Sequence, residues 1–356
     1  MEGGNKMLVT IASMATLLSV GLVLVAKYVM GAIRRSAPKG NWRRVGEIAE
    51  LHIYPVKSCK GISVEEARLL SIGMTEVTTA QRPPLGDRRM VIYKVDAMEF
   101  ISARTYPHLL QIEVGLATNG KMHLDYDGSR VEFEIPSGKP DRKIRLWTEQ
   151  VPVVDCGDDV ADWLKKIVFD DKTDVRLGYW PGDHVRRDIP HLVAKYNSVF
   201  PEMKNEFTGA YSDLGPYLLL NEASVAELKG KIDERNKDDI GEGQLAVSSK
   251  NFRGNIIIRG PSAYEEDTYE WVRIGDNVVF RNFKPCTRCS LTTIDPDTSV
   301  RNKNLEPITT LKTYRLLDEE KRKLDSSPVM GIYVGLHDAS LEGEIIKVGQ
   351  PVYVSD

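Results

Sequence analysis

Between Glu47 and Val354 the chain is a succession of short runs in which apolar residues alternate with polar ones, bounded by turn-forming residues. A period of two sends successive side chains to opposite faces of a strand, so the folded part must be built from sheets. Glu47 to Val56, Arg89 to Val95, Leu109 to Val114, Lys121 to Tyr126, Val131 to Ile135 and Lys143 to Leu146 predict a first β-rich unit. Asn255 to Arg259, Val272 to Ile274, Asn277 to Arg281, Ser290 to Ile294, Met330 to Val334, Ile345 to Val348 and Pro351 to Val354 predict a second. Two helices interrupt the pattern. Val160, Trp163, Leu164, Ile167 and Val168 share one helical face, with Asp158 or Asp159 as cap. Asn221 to Ile232 aligns Val225, Leu228 and Ile232, with Ser224 and Glu227 spaced as a capping box, and Asp233 to Gly243 reads as a polar loop. The expected class is α+β with β dominant.

At 356 residues, 42% hydrophobic and 28% charged, the chain is long enough for two domains or one elaborate one. A net charge of -3 supplies no global attraction to nucleic acid. Four cysteines, Cys59, Cys156, Cys286 and Cys289, are too few and too scattered to staple such a chain, which points to a reducing compartment.

Met7 to Ala26 carries neither charge nor proline. Twenty helical residues at about 1.5 Å each span the ~30 Å core of a bilayer, so this stretch predicts a single membrane-crossing anchor. Lys27, Arg34, Arg35, Lys39, Arg43 and Arg44 crowd its carboxyl side, which places the following domain in the cytosol. A cleaved secretory signal is the competing reading, but its charge would precede a shorter apolar run. The expected organisation is an anchor and basic linker over residues 1–40, a first β-rich domain over 41–185 and a second over 186–356.

The densest chemistry lies in Phe283 to Asp297, FKPCTRCSLTTIDPD. Cys286 and Cys289 form a C-x-x-C pair, which suits half a zinc site, a dithiol switch or two inert core thiols. Zinc lacks a second ligand pair in this sequence, and a thioredoxin-like dithiol should open a helix where SLTTI reads as a β run. A single thiolate in a basic loop suits a soft metal held mainly by an external ligand set. Lys284 and Arg288 are positioned in sequence to favour ionisation of a neighbouring thiol.

C-x-R-C followed by LTT-DPDT resembles the metal-ligating segment of the MOSC domain in mitochondrial amidoxime-reducing components. YPVKSCKG (Tyr54 to Gly61), GDRRM (Gly86 to Met90) and NFRGN (Asn251 to Asn255) resemble three further segments of that family, in the same order. The resemblance implies a MOSC fold, an amino-terminal β domain followed by a MOSC β-barrel domain, and a molybdenum-molybdopterin cofactor. It implies Cys289 as the metal ligand and catalytic centre, with Lys57, Ser58, Arg88, Asp213, Arg253, Asn255, Thr287 and Arg288 around the cofactor. A pterin phosphate and a polar ring system call for such cationic, hydroxyl and amide donors. Taken singly, Lys57 reads more readily as a solvated loop lysine, Arg88 as a partner of Asp87 or another carboxylate and Arg253 as the support of a turn, while Asp213 reads equally as a pocket wall and as a capping or turn residue.

The same resemblance implies an oxidoreductase acting on small N-oxygenated compounds, namely amidoximes, hydroxylamines and hydroxamic acids. Its electrons would come from NADH through cytochrome b5 reductase and cytochrome b5. It implies an outer-mitochondrial-membrane location, single-pass, with the catalytic domain facing the cytosol. No nucleotide-binding G-x-G-x-x-G stretch is present, consistent with reducing power arriving from a partner. A cofactor carrier or sulfur-delivery module is the alternative, and an inherited fold with a dead site is a third. One departure stands out: YSDLGP (Tyr211 to Pro216) replaces the YSDTSP of the vertebrate proteins, so Leu214 and Gly215 stand where two hydroxyls would. Ser299 replaces a glycine that often follows DPDT.

Overall fold

Strand Arg43–Ile53 ties the beginning of the folded chain to its end, pairing Arg43 with Val354 and Glu47 with Pro351. On its other side it pairs with Ile256–Arg259 and with Ile62–Val64. The structure is a computed structural model describing residues 37–78, 84–117, 119–140, 142–182, 187–236 and 247–355. Arg43–Asp356 forms one contact unit, which contains every strand and helix found among the described residues.

Its main sheet runs in the order Ile256–Arg259, Tyr217–Asn221, Val329–Leu336, Val278–Thr287, Trp271–Ile274, Pro351–Ser355, Arg43–Ile53, Ile62–Val64. Because Ile256–Arg259 also pairs with Arg43–Ile53, this sheet closes on itself. Ile48, Leu51, Val272, Phe280, Ile332 and Val352 form one apolar cluster from its alternate positions. Arg142–Leu146, Glu149–Asp155, Val175–Tyr179, Met90–Lys94 and Glu99–Phe100 make a second closed barrel. Two three-stranded sheets complete a β-rich architecture, as the alternation predicts.

Two expected strands are helical turns. Leu109 to Val114 begins as a 3-10 turn, Pro107–Gln111, before strand Glu113–Leu116. Pro107 presets the first turn, and the adjacent Leu109 and Leu110 are both buried, which one face of a strand cannot do. Ser290–Thr293 is likewise a 3-10 turn, so SLTTI does not continue the strand. The Thr292 and Thr293 hydroxyls take the carbonyls of Cys289 (3.0 Å) and Ser290 (2.7 Å), and these local bonds prevail over β propensity. The premise that separated this C-x-x-C pair from a dithiol site therefore falls. Both cysteines are nonetheless free thiols.

The helices also depart in detail. Gly157, at φ 102, precedes helix Asp158–Trp163, so Asp158 and Asp159 lie in the first turn rather than capping it. Leu164–Val168 then widens into a π-turn, with Phe169 N donating to Leu164 O, and Ile167 is rotated into solvent. Helix Glu222–Arg235 is capped by Asn221, whose side chain accepts from Ala223 N at 3.1 Å. Ser224 is therefore not a cap, and the helix continues through Asp233, which was expected in a loop; residues 237–246 lie outside the described ones. Its face of Val225, Leu228 and Ile232 is buried as expected. Trp163 is buried as core, and Trp180 is fully buried edge-on against Tyr211, a packing residue. The expected anchor, Met7 to Ala26, lies outside the described residues. Among the described residues no helix is long and apolar enough to cross a membrane.

Ser224 turns instead to Glu266, donating to both carboxyl oxygens at 2.8 and 2.9 Å, while Asn221 Nδ2 donates to the same group at 3.2 Å. Burial raises the Glu266 carboxyl to about 7. The folded protein therefore holds a proton that the unfolded chain releases near the ordinary 4.5. That contribution to stability is complete below about 4.5 and is lost as pH rises through about 7. Glu266→Gln cannot ionise, so its melting temperature should gain on the parent between pH 5 and 8; a pH-independent difference in thermal melts would remove this charge from the account.

Candidate functional site

The strand that carries Cys286 is irregular. Val278–Thr287 shifts register against Val329–Leu336 between Asn282 and Lys284 and again between Pro285 and Thr287. Such bulges re-aim side chains. Cys286 is almost wholly buried, whereas Cys289, just past the strand, is partly exposed. Both line an open cleft with about 780 Å³ of empty space. Every site residue expected from sequence borders it: Lys57, Ser58, Arg88, Asp213, Arg253, Asn255, Thr287, Arg288 and Cys289.

Three of these sit in the left-handed region without being glycine: Ser58 at φ 71, Arg88 at φ 47 and Arg253 at φ 54. Backbone held there by its surroundings concentrates at functional sites. Arg88 is fixed by its own neighbours. Its Nη1 donates to Asp87 Oδ2 at 2.6 Å and to Asn255 Oδ1 at 3.1 Å, and its Nη2 to the Arg253 carbonyl at 3.0 Å. Asp87 also accepts from Tyr54 N (2.9 Å) and from Asn255 Nδ2 (3.0 Å). Asn255 donates in addition to His52 O and accepts from Leu218 N, so its amide is engaged within the protein. Both readings of Arg88 hold at once: it pairs with Asp87 and it faces the cleft. Losing it would leave Asp87 buried without its counter-charge, a loss of roughly 3–5 kcal/mol.

Arg253 and Arg88 lie over the same ring, Tyr54, with guanidinium carbons 4.2 and 4.4 Å from its centroid. Burial, with the neighbouring Arg88 charge, lowers the Arg253 guanidinium to about 10. Its Nη1 donates to Cys59 O at 2.8 Å, and its buried Nη2 has no partner among the described residues. A buried cationic donor without an acceptor is costly, so an anion is what this corner lacks.

Lys57 is buried and bonds Asp213 Oδ1 at 2.5 Å. Burial lowers the lysine's pKa, and Asp213 opposes that shift. Burial alone would raise the Asp213 carboxyl, but Lys57, then Arg104 and the Trp147 N–H, hold it well below the usual range. Asp213 is thus a cleft wall and not a cap. Its loop is pinned from beneath by Arg187, whose guanidinium donates to the carbonyls of Ala210, Ser212, Asp213 and Leu214. Nothing in the sequence marks Arg187, because its partners are all peptide oxygens.

Around the cysteines one expectation changes. Arg288 Nη1 donates to Cys286 Sγ at 2.7 Å and Nη2 to Phe252 O, so its charge is turned toward Cys286. Lys284 is buried against the rings of Tyr196 and Phe200 and does not border the cleft. Gly215 explains the YSDLGP departure locally. A Cβ there would meet Phe283 Cζ at 2.7 Å and Tyr333 Cδ1 at 3.0 Å, in the aromatic stack Phe207, Phe283, Tyr333. Leu214 packs into the same cluster. Sequence reasoning also missed Arg104, Trp147 and Tyr333 on the cleft wall.

Among the described residues no three His, Cys, Asp or Glu side chains converge as a metal cage. One accessible thiol, and a buried guanidinium N–H without a partner among the described residues, on two residues that border the same cleft, fit a metal that arrives on its own sulfur-bearing, anionic chelator.

The family profile for the MOSC N-terminal beta barrel domain matches residues 45–171, and that for the MOSC domain matches residues 207–353. The cleft draws residues from both. The chain is 32% identical to mitochondrial amidoxime reducing component 2 of Macaca fascicularis, over 94% of this chain and 92% of that protein. It is 33% identical to the Bos taurus protein of the same name, over 90% and 88%. It is 33% identical to human mitochondrial amidoxime-reducing component 1, over 94% and 91%.

Burial divides the thiols sharply. It pushes Cys59 up to about 12 and raises Cys156 too, so neither offers thiolate at neutral pH. In native protein freed of any bound metal, iodoacetamide should modify Cys289 first and the other three only on unfolding. Peptide mapping checks this, and rapid native labelling of Cys286 would contradict the burial described here.

Proposed function

We propose, because this chain belongs to the MOSC-domain family of the amidoxime-reducing components, that it is a molybdenum-cofactor-dependent reductase of N-hydroxylated compounds. Amidoximes, hydroxylamines and hydroxamic acids are the substrate classes. The observation that carries the reading is the meeting of Cys289, the accessible thiol, with the partnerless Arg253 Nη2 in one cleft.

In this reading Cys289 Sγ holds the metal, and Arg253, with Lys57, Ser58 and Arg88, holds the anionic and polar parts of molybdopterin. Asp213, Thr287 and Arg288 border it, and Asn255 acts through Arg88 and Asp87. When bound, the cofactor would supply the two-electron redox centre that takes oxygen from nitrogen. The balance is an N–OH group, two electrons and two protons giving N–H and water. Burial lowers the Lys57 pKa and Asp213, which accepts from its Nζ, opposes that shift, so the pair sets the charge of this part of the cleft wall.

Electrons would come from NADH through cytochrome b5 reductase and cytochrome b5. Met7 to Ala26 would tether the enzyme in the outer mitochondrial membrane with its catalytic part toward the cytosol, raising encounters with a similarly anchored donor.

The test is the full chain from a host that makes the cofactor. About one molybdenum and one pterin per chain, with benzamidoxime reduction driven by cytochrome b5 and its reductase, are expected. Cofactor without turnover would favour a carrier, and the absence of both would end the proposal.

Cys289→Ala should abolish turnover and molybdenum retention, whereas Cys286→Ala should retain much of both. Equal loss, with two metal-bound thiolates by X-ray absorption, would reassign the ligand. Arg253→Gln should lower pterin content several-fold in protein that still folds, because its Nη2 has no acceptor among the described residues, while loss of the Nη1 bond to Cys59 O lowers the melting temperature by what one buried hydrogen bond contributes. Full pterin retention in that variant would remove Arg253 from the anion site.

A further inference from the structure

Strands Arg142–Leu146 and Glu149–Asp155 are joined by a two-residue turn, with Leu146 paired to Glu149. Its first residue, Trp147, has φ 58. Glycine or asparagine normally occupies such a position, and a bulky side chain there is an outlier that persists only when its surroundings hold it. Those surroundings are specific. Phe100 meets the indole edge-on at 4.6 Å between centroids, and Trp147 Nε1 donates to Asp213 Oδ1 at 3.2 Å. The Arg104 guanidinium lies 4.2 Å from the ring centroid. The indole is not sealed in a core. It borders both the cleft that holds Cys289 and an adjoining hollow lined by Lys94, Glu99 and Tyr106.

Arg104 borders the same two spaces and makes no ion pair among the described residues. Its backbone is tied to the Cys289 segment through Arg301, which donates to the Arg104 carbonyl at 2.9 Å, to Ser290 O at 3.1 Å and to Thr293 Oγ1 at 3.0 Å. An indole with the Arg104 guanidinium over its ring, and a cation whose charge reaches Asp213 but which makes no ion pair among the described residues, are thereby tied to the segment that bears the thiol. Neither is needed to hold Arg88 or Arg253, whose partners are Asp87, Asn255, Cys59 O and Tyr54.

We propose that Trp147 and Arg104 form a substrate platform, the indole taking the planar body of an aromatic N-hydroxylated compound and the guanidinium an acidic substituent on it. This rests on the reductase reading above and names the substrate class it favours. Aromatic stacking supplies the selectivity for flat substrates, and a planar fork of N–H donors supplies the selectivity for carboxylate.

The experiment uses the full-chain holoenzyme with three substrates: benzamidoxime, its para-carboxy derivative and acetamidoxime. Trp147→Gly suits the backbone and removes the face, whereas Trp147→Phe keeps a face and loses the N–H. In the Gly variant the ratio of KM for benzamidoxime to KM for acetamidoxime should rise roughly tenfold, with a smaller rise for Phe. In Arg104→Gln the ratio of KM for the para-carboxy derivative to KM for benzamidoxime should rise by about the same factor. Unchanged ratios would overturn the platform. So would loss of pterin in both Trp147 variants, which would make the indole part of the cofactor seat. Should the parent reduce none of the three compounds, the reductase reading fails by itself. Calorimetric binding of para-carboxybenzamidoxime then decides the platform, which stands if Trp147→Gly and Arg104→Gln weaken it and falls if they do not.

Discussion

The buried carboxylate of Asp87 organises the site. It collects the Tyr54 amide, the Arg88 guanidinium and the Asn255 amide, and through them joins chain segments near residues 54, 88, 218 and 254. A buried charge tolerates few geometries, because each lost donor leaves it more poorly solvated. That intolerance fixes the relative placement of loops far apart in sequence. Arg187 does the same for the loop bearing Asp213, using four peptide carbonyls as its partners.

With those loops fixed, the cleft gathers more cation than it neutralises. Arg88 and Asp87 compensate each other, as do Lys57 and Asp213, while Arg253 shares the Tyr54 ring with Arg88 and keeps an N–H without an acceptor among the described residues. Like charges held on one aromatic ring are costly in a desolvated corner, and an arriving anion relieves that cost. A corner of this kind favours an anion before any ligand arrives.

The two cysteines are distinguished by position, not by residue type. Pro285 and two bulges interrupt the strand, and Cys286, though it lines the cleft, is almost wholly buried and accepts from Arg288, while Cys289 begins the following turn and is partly exposed. Their shared C-x-x-C spacing says nothing about this difference.

The sequence by itself determined the β-dominated class, because alternation has only one geometric meaning, and its resemblance to the amidoxime-reducing components pointed to the segments that line the cleft, since taken singly Lys57, Arg88 and Arg253 each had a bland reading. It could not decide between strand and 3-10 turn at Leu109 or Ser290, where a proline and two threonine hydroxyls compete locally with strand propensity. It was silent on Arg187, on Trp147 in its left-handed turn and on the direction of Arg288. Those were settled only by tertiary structure, since a peptide carbonyl, a ring edge or a sulfur becomes a partner only when distant segments are brought within a few ångströms.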